Sequence, residues 1–254
     1  MKQLLNIHQA ARFLNVSEMT VRRWTNAGDL RCYRIGARRA RRFKIEDLVA
    51  YLEVRDQPVS PPVGVPLGYN GLQAPEGTHL AHFPMDAFEA LDLAVGYICN
   101  GLSSHETVCV VAPDNRMGQI VQRMRSSGVD PAACRHSGDC FFSEGMDTPT
   151  GQARFLAEVA ERTGQRLRVF GDMAWAKEKG WGAQELRELE DLVNAASSRA
   201  AGNLYLCQYA LDCFSGQEAL MAMETHSHCI YRGLLNHSPY HFPLGIHGFS
   251  DHGS

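Results

Sequence analysis

The sequence predicts an α/β protein in two parts. A small helical head bearing a basic hairpin precedes a larger three-layer α/β body with a mostly parallel sheet. Three observations predict this. Residues 1–55 hold 12 Lys/Arg against 5 Asp/Glu, while the other 199 residues hold 13 against 23, so a basic module is joined to an acidic one. Five of the eleven prolines, Pro58, Pro61, Pro62, Pro66 and Pro75, fall within residues 56–78, where they remove backbone donors and favour a semi-extended linker. Beyond that linker, strand-like and helix-like patterns alternate to about residue 214, as in repeated βα units.

Composition narrows the class. At 254 residues, 44% apolar and 21% charged, the chain fits one or two globular domains. No stretch approaches the ~18 apolar residues of a membrane span. Residues 1–6 show no apolar core of a secretory signal, so a cytoplasmic location is expected. The eight cysteines include no CxxC pair. Thiols are therefore expected rather than bridges or a zinc finger.

Within the head, Ile7, Ala10, Ala11 and Leu14 recur at i, i+3, i+4 and i+7 and mark one helix face. Asn15-Val16-Ser17 reads as a tight turn. Ser17 is a good N-cap, and Glu18 lies where the helix dipole favours an anion. The second helix is expected over 18–27, with Val21 and Trp24 inward and Gly28 ending it. Thr20, Arg22, Arg23 and Asn26 are left outward. Cys32-Tyr33-Arg34-Ile35 and Arg41-Arg42-Phe43-Lys44 read as a hairpin with a tip at 36–39. Ile45, Leu48, Val49 and Leu52 give a closing amphipathic helix. Two short helices joined by a three-residue turn, with a basic ribbon beside them, form a winged helix-turn-helix, whose second helix enters the major groove of DNA. The expected contacts are Thr20, Arg22, Arg23 and Asn26 to bases or phosphate, and Arg34, Arg38, Arg39, Arg41 and Arg42 to phosphate.

The segments IHQAARFLNVSEMTVRRWTNAGDL and YRIGARRARRFKIEDLVAYL resemble the MerR/excisionase-type winged helix domain. The resemblance covers about 50 residues. MerR proteins proper pair through a long C-terminal coiled coil, and none follows Tyr51. A homodimer on two half-sites, implied by this family, would have to pair through the body.

In the body, strands are expected at 79–83, 107–112, 139–142, 167–170 and 204–209. Helices are expected at 87–100, 115–126, 150–163 and 183–200. The apolar, β-branched run Thr107-Val108-Cys109-Val110-Val111-Ala112 suits a strand buried on both faces. The blocks HLAHF, VGYICNGLSSHETVCVVAP, RLRVFGDMAW and NLYLCQYALDCFSG look like the MEDS domain. That domain is the sensory module of the dichloromethane-responsive repressor family of methylotrophs, with relatives in methanogens. The resemblance implies a degenerate RecA/KaiC-like fold. The division expected is therefore 1–55 head, 56–78 linker, 79–235 sensory body and 236–254 flexible tail.

A nucleotide-binding ATPase would need GxxxxGK[ST] to hold phosphates. The first expected strand is followed instead by Pro84-Met85-Asp86-Ala87-Phe88, without Gly or Lys. No nucleophile–base spacing supports a hydrolase, so the chain is not expected to be an enzyme.

Ligands of open parallel sheets lie beyond the C-terminal strand ends. That rule gathers Phe83-Pro84, Ala112-Pro113-Asp114, Gly171-Asp172-Met173 and Tyr209-Ala210, and Trp175 is among the aromatics close to them in sequence. His79 joins them, at the position of a histidine typical of the MEDS pattern. The expected effector is a simple hydrocarbon or one-carbon derivative, as the resemblance implies. A metal or redox sensor is the alternative. His226, His228 and Cys229 offer three soft ligands in four residues, and Cys134, His136 and Cys140 offer three in seven. The reading reached is a one-component regulator, more a repressor than an activator, that binds double-stranded operator DNA and a small effector, with no certain cofactor.

Overall fold

Backbone contacts divide the chain after Pro62 in the computed structural model, which describes residues 4–14, 16–27, 30–36, 40–56, 64–197 and 202–241. In the first unit, α1 (Ile7–Phe13) opens with a capping box, Asn6 and Gln9 exchanging side-chain and backbone bonds. Ser17 caps α2 (Glu18–Ala27): its Oγ accepts from Thr20 N at 3.1 Å. The hairpin forms from β1 (Tyr33–Ile35) and β2 (Ala40–Arg42), followed by α3 (Ile45–Asp56). Ala10, Ala11, Val21, Leu30, Phe43 and Leu48 make the small core, with Trp24 tilted against Tyr51.

Two details depart from expectation. Ile45 is exposed rather than inward, because it sits at the first position of α3, before the helix turns its stripe onto the core. Leu5 pairs with Phe43 through two backbone bonds of 2.8 and 2.9 Å, so the chain before α1 extends the wing. Gly28 and wing-tip residues 37–39 lie outside the described residues.

The second unit begins earlier than the linker reading placed it. β3 (Val65–Pro66) and β4 (Gln73–Ala74) form a small hairpin, and Val65, Leu67 and Ala74 are buried in the body's core. Pro66 lies in β3 and Pro75 directly follows β4, while Pro58, Pro61 and Pro62 lie outside the described residues.

The elements that follow are β5 (His79–Phe83), α4 (Ala87–Ser103), β6 (Thr107–Val111), α5 (Asp114–Ser126), α6 (Pro131–Ser137), β7 (Cys140–Ser143), α7 (Pro149–Thr163), β8 (Leu167–Asp172), α8 (Ala174–Glu178), α9 (Ala183–Ser197), β9 (Leu204–Gln208), α10 (Gly216–Thr225), β10 (His228–Tyr231) and β11 (Leu234–His237). Seven strands form one sheet in the order β11-β10-β5-β9-β8-β6-β7. All neighbours are parallel except β10 and β11. β9 is thus central, and the sheet continues past it, because β10 adds in parallel to the far edge of β5. His237 lies in β11, and Ser238 is buried with its Oγ donating to Met223 O. The sheet therefore takes in part of the expected tail; residues 242–254 lie outside the described set.

Period-two alternation sorts the buried strands between two cores. Leu80, Val108, Val110, Phe170, Leu204 and Leu206 pack with α4 and α5. Ala81, Phe83, Cys109, Val111, Val169, Tyr205 and Tyr209 pack with α7, α9 and α10. At the opposite end from the strand C-termini, Arg168 is fully buried. Its Nε donates to Glu106, and its Nη1 donates to Pro66 O (3.0 Å), Tyr97 O (3.3 Å) and Asn100 Oδ1 (3.2 Å). This cation sews the segment around Pro66 to β8 and α4.

Candidate functional site

The head presents its cations on the second helix and the wing. Arg22 is exposed and within 3.7 Å of Glu18. Arg34 is exposed on β1, while Arg41 and Arg42 are half-buried on β2, opposite Arg34 and Tyr33 respectively. Arg42 Nη1 donates to Arg41 O at 3.0 Å. Thr20 is only half-buried, but its hydroxyl is engaged with Ser17 Oγ at 2.9 Å. That bond serves the helix start, and a hydroxyl accepting from Ser17 keeps its own proton free to donate elsewhere. The side chains of Arg23 and Asn26, and all of Arg38 and Arg39, lie outside the described residues.

In the body the candidate effector residues separate into two groups. Phe83, Tyr209 and Phe214 stack in sequence, with ring centroids 6.1 and 5.0 Å apart. Trp175 is buried edge-on against Trp181 at 4.8 Å. Asp172 ends β8, where its Oδ2 accepts from Arg116 Nε at 3.1 Å and its Oδ1 from Ala174 N at 3.2 Å. It is a paired carboxylate at a turn. Arg116, on α5, was not singled out by sequence, since an isolated arginine in a polar helix carries no signal.

His79 and Tyr209 belong instead to a buried polar group that sequence reasoning did not assemble. The side chains at 79 and 207 lie on the face of β5 and β9 that meets α9. There Glu190 and His226, which follows α10, complete the set His79, Glu190, Cys207 and His226, whose ligand-type atoms all lie within 4.8 Å of one another. His79 Nε2 is 3.1 Å from Glu190 Oε2 and 3.3 Å from Cys207 Sγ. His226 Nε2 is 3.6 Å from the same carboxylate oxygen, and Cys207 Sγ is 3.7 Å from it. The two imidazoles stack with centroids 4.0 Å apart.

A second ring of partners fixes these groups. Asn194 Nδ2 donates to Thr225 O at 2.8 Å, which turns its Oδ1 toward His79 Nδ1 at 3.0 Å. His226 Nδ1 donates to Ala222 O at 2.7 Å. The Tyr209 hydroxyl donates to Glu190 Oε1. Burial works to raise the Glu190 carboxyl, but His226, His79 and the Tyr209 hydroxyl hold it below its ordinary range. Burial, reinforced by His79, pushes His226 down to about 3. Burial and the facing carboxylate push the Cys207 thiol and Tyr209 hydroxyl well up.

One sequence signal pointed here. Leu186, Leu189, Glu190 and Val193 occupy a single buried stripe of α9, and a carboxylate on an apolar helix face is a flag for a specific partner.

The structure does not bring His226, His228 and Cys229 together. His226 joins His79. His228 stacks on His237 at 4.3 Å, and Cys229 packs among the α9–α10 side residues. His226 caps α10 before the strand begins, while His228 and Cys229 are successive residues of β10 and face opposite ways. Cys134 and Cys140 both pack in the α4–α5 core, on α6 and β7. They make no such group with His136 among the described residues.

Comparison with known proteins places these features. Residues 78–227 match the MEthanogen/methylotroph, DcmR Sensory domain, MEDS, and residues 4–55 match a helix-turn-helix domain. The chain is 31% identical over 239 residues to the transcriptional repressor DcmR of Methylorubrum extorquens, spanning 89% of this chain and 90% of that one. A KaiC-like protein from Pyrococcus horikoshii superposes with a TM-score of 0.54 at 15% identity, over 65% of this chain and 79% of that one. This second likeness shows the shared fold alone.

Proposed function

The chain belongs to the MEDS family and is a repressor-like, DNA-binding transcription regulator, and from that premise we propose that it is a one-component switch in which a small effector bound by the body alters the head's grip on operator DNA. The single observation that carries this reading is the pairing, in one chain, of a capped helix-turn-helix bearing a basic wing with an α/β sensory domain. Arg22 and Arg23 read bases or phosphate from α2. Arg34, Arg38, Arg39, Arg41 and Arg42 hold phosphate from the wing.

Two copies bind two half-sites. The effector is a simple hydrocarbon or one-carbon derivative, taken up near the C-terminal strand ends where Phe83, Tyr209 and Trp175 supply apolar surface and Asp172 a polar edge. Such a ligand switches the protein only by binding the DNA-competent and incompetent forms unequally. The relative is a repressor, which favours a regulator over an enzyme.

Fluorescence anisotropy on duplexes from the protein's own upstream region tests the reading. The expected result is binding much tighter than to scrambled duplex, weakened or strengthened by a volatile halogenated one-carbon compound. Equal binding to every duplex, with and without a panel of such compounds, would overturn it.

A further inference from the structure

We propose that the body carries a resident divalent transition-metal ion, held by His79 Nε2, Glu190, Cys207 Sγ and His226 Nε2. This deepens the sensory reading, on which it rests only for its regulatory meaning; the site itself stands on geometry.

The hydrogen bonds fix where the lone pairs point. Thr225 O orients the Asn194 amide, so its oxygen takes the Nδ1 proton of His79. The carbonyl of Ala222 takes the Nδ1 proton of His226. Both imidazoles therefore turn Nε2 toward Glu190 Oε2. His226 Nε2 is fully enclosed and has no hydrogen-bond partner. Two imidazole lone pairs facing a carboxylate oxygen would repel, unless a proton or a metal ion lies between them. Among the described residues no lysine or arginine pairs with Glu190; its ion-pair partners are the two histidines. Besides the Tyr209 hydroxyl, the only donor facing the carboxylate is the Cys207 thiol, which a metal ion would displace as thiolate; among the described residues no cationic side chain other than the histidines lies at this point.

The spacing suits such an ion. Tetrahedral zinc, with bonds of about 2.0–2.3 Å, sets its ligand atoms roughly 3.3–3.8 Å apart. Four of the six separations are 3.1, 3.3, 3.6 and 3.7 Å, and all six are within 4.8 Å, so a small inward shift of the ligands would close the site on an ion. The donor set of two nitrogens, one sulfur and one carboxylate oxygen suits Zn²⁺, Co²⁺ or Fe²⁺ rather than Mg²⁺ or Ca²⁺. A thiolate and a carboxylate also balance a 2+ charge, leaving a neutral complex in a dry site. The carbonyl behind His226, the carboxamide behind His79 and the phenol behind Glu190 are the usual supports of metal-bound histidine and carboxylate. Binding would release the thiol proton of Cys207, and any proton shared by His79 and Glu190, to solvent. Because the ligands come from β5, α9, β9 and the residue after α10, the ion would tie the helical layer to the sheet.

The test uses the full chain, refolded without metal and dialysed against Zn²⁺ or Co²⁺, with metal content read by native mass spectrometry and fold by circular dichroism. One ion per chain is expected, with a raised melting temperature. A Co²⁺ thiolate charge-transfer band should be present in wild type and lost in Cys207→Ser. His226→Ala and Glu190→Gln should lower affinity at least tenfold. The double variant His228→Ala/His237→Ala should keep the ion, which separates this site from surface histidines. A folded wild type that takes up no Zn²⁺ or Co²⁺, or uptake unchanged in Cys207→Ser and His226→Ala, would overturn the proposal. DNA binding is measured on the same samples. Its loss in every sample would count against the regulator reading while leaving the metal site standing.

Discussion

Gln208 Nε2 lies 2.9 Å from His82 Nδ1 across the junction of β9 and β5, and the same amide donates to Ala90 O at 3.0 Å. His82 is fully buried, and its far nitrogen has no hydrogen-bond partner among the described residues. An amide N–H donating to Nδ1 leaves the proton of a neutral ring on Nε2, toward Glu89 at 3.9 Å. The contact ties β5 and β9 to the start of α4.

The burial of His82 makes stability pH-dependent. Burial holds His82 down to about 4, against 6.5 for an ordinary histidine. Between those values the unfolded chain binds a proton that the folded chain refuses, so stability falls as pH drops from about 6.5 toward 4. The expected loss is about 3 kcal/mol. Urea unfolding at a series of pH values should show a clearly smaller slope over that window in His82→Gln. An identical slope in the variant would mean that other groups set the acid limit.

Arg168 answers to a different measurement. It is a buried cation with one carboxylate partner and three neutral acceptors. Arg168→Met removes all four bonds and leaves Glu106 with only Arg166, at 3.2 Å. Stability should fall by about 3–5 kcal/mol, the usual cost of breaking a buried pair from one side. A urea midpoint that corresponds to less than about 1 kcal/mol would contradict the role given to this residue.

Gly96 separates helix propensity from packing. Replacing a mid-helix glycine by alanine ordinarily stabilises by up to about 1 kcal/mol. Here an added Cβ would meet Gly68 O at 2.3 Å, so α4 and the loop after β3 would have to part. Gly96→Ala should therefore lower the melting temperature. A rise would show that residues 64–74 are loosely held after all.

The wing should reveal itself in salt. Arg34→Ala and Arg39→Ala should weaken binding to operator and scrambled duplex alike. Each should flatten the plot of log affinity against log salt by about one unit. Arg22→Ala, on α2, should also change the ratio between the two duplexes if it reads a base. Unchanged slopes for both wing variants would remove the wing from the interface.

Much of this protein was legible in its sequence because the determining forces are local. The Ser17 cap, the spacing of Val21 and Trp24, and the turn before α2 act within a few residues, and the head followed them closely. The β-branched run at 107–111 and the apolar run at 204–207 announced buried strands, and their alternation with helices announced a parallel sheet. Elements missed were β3, β4, α6, α8, α10, β10 and β11. All but the ten-residue α10 span too few residues to set a period, and β10 pairs along the edge of β5.

The buried polar group was decided by tertiary structure alone. His79, Glu190, Cys207 and His226 are separated by 111, 17 and 19 positions in the chain, and no local force links them. They meet because β9 inserts beside β5, which sets His79 and Cys207 on one face, and because α9 lies across that face with Glu190 in its apolar stripe. The tight sequence cluster at 226–229 pointed elsewhere, since His226 ends α10 and the alternation of β10 sends His228 and Cys229 to opposite faces. Sequence fixes which groups a chain can offer, but strand order and helix rotation choose which of them converge, through packing between residues far apart along the backbone.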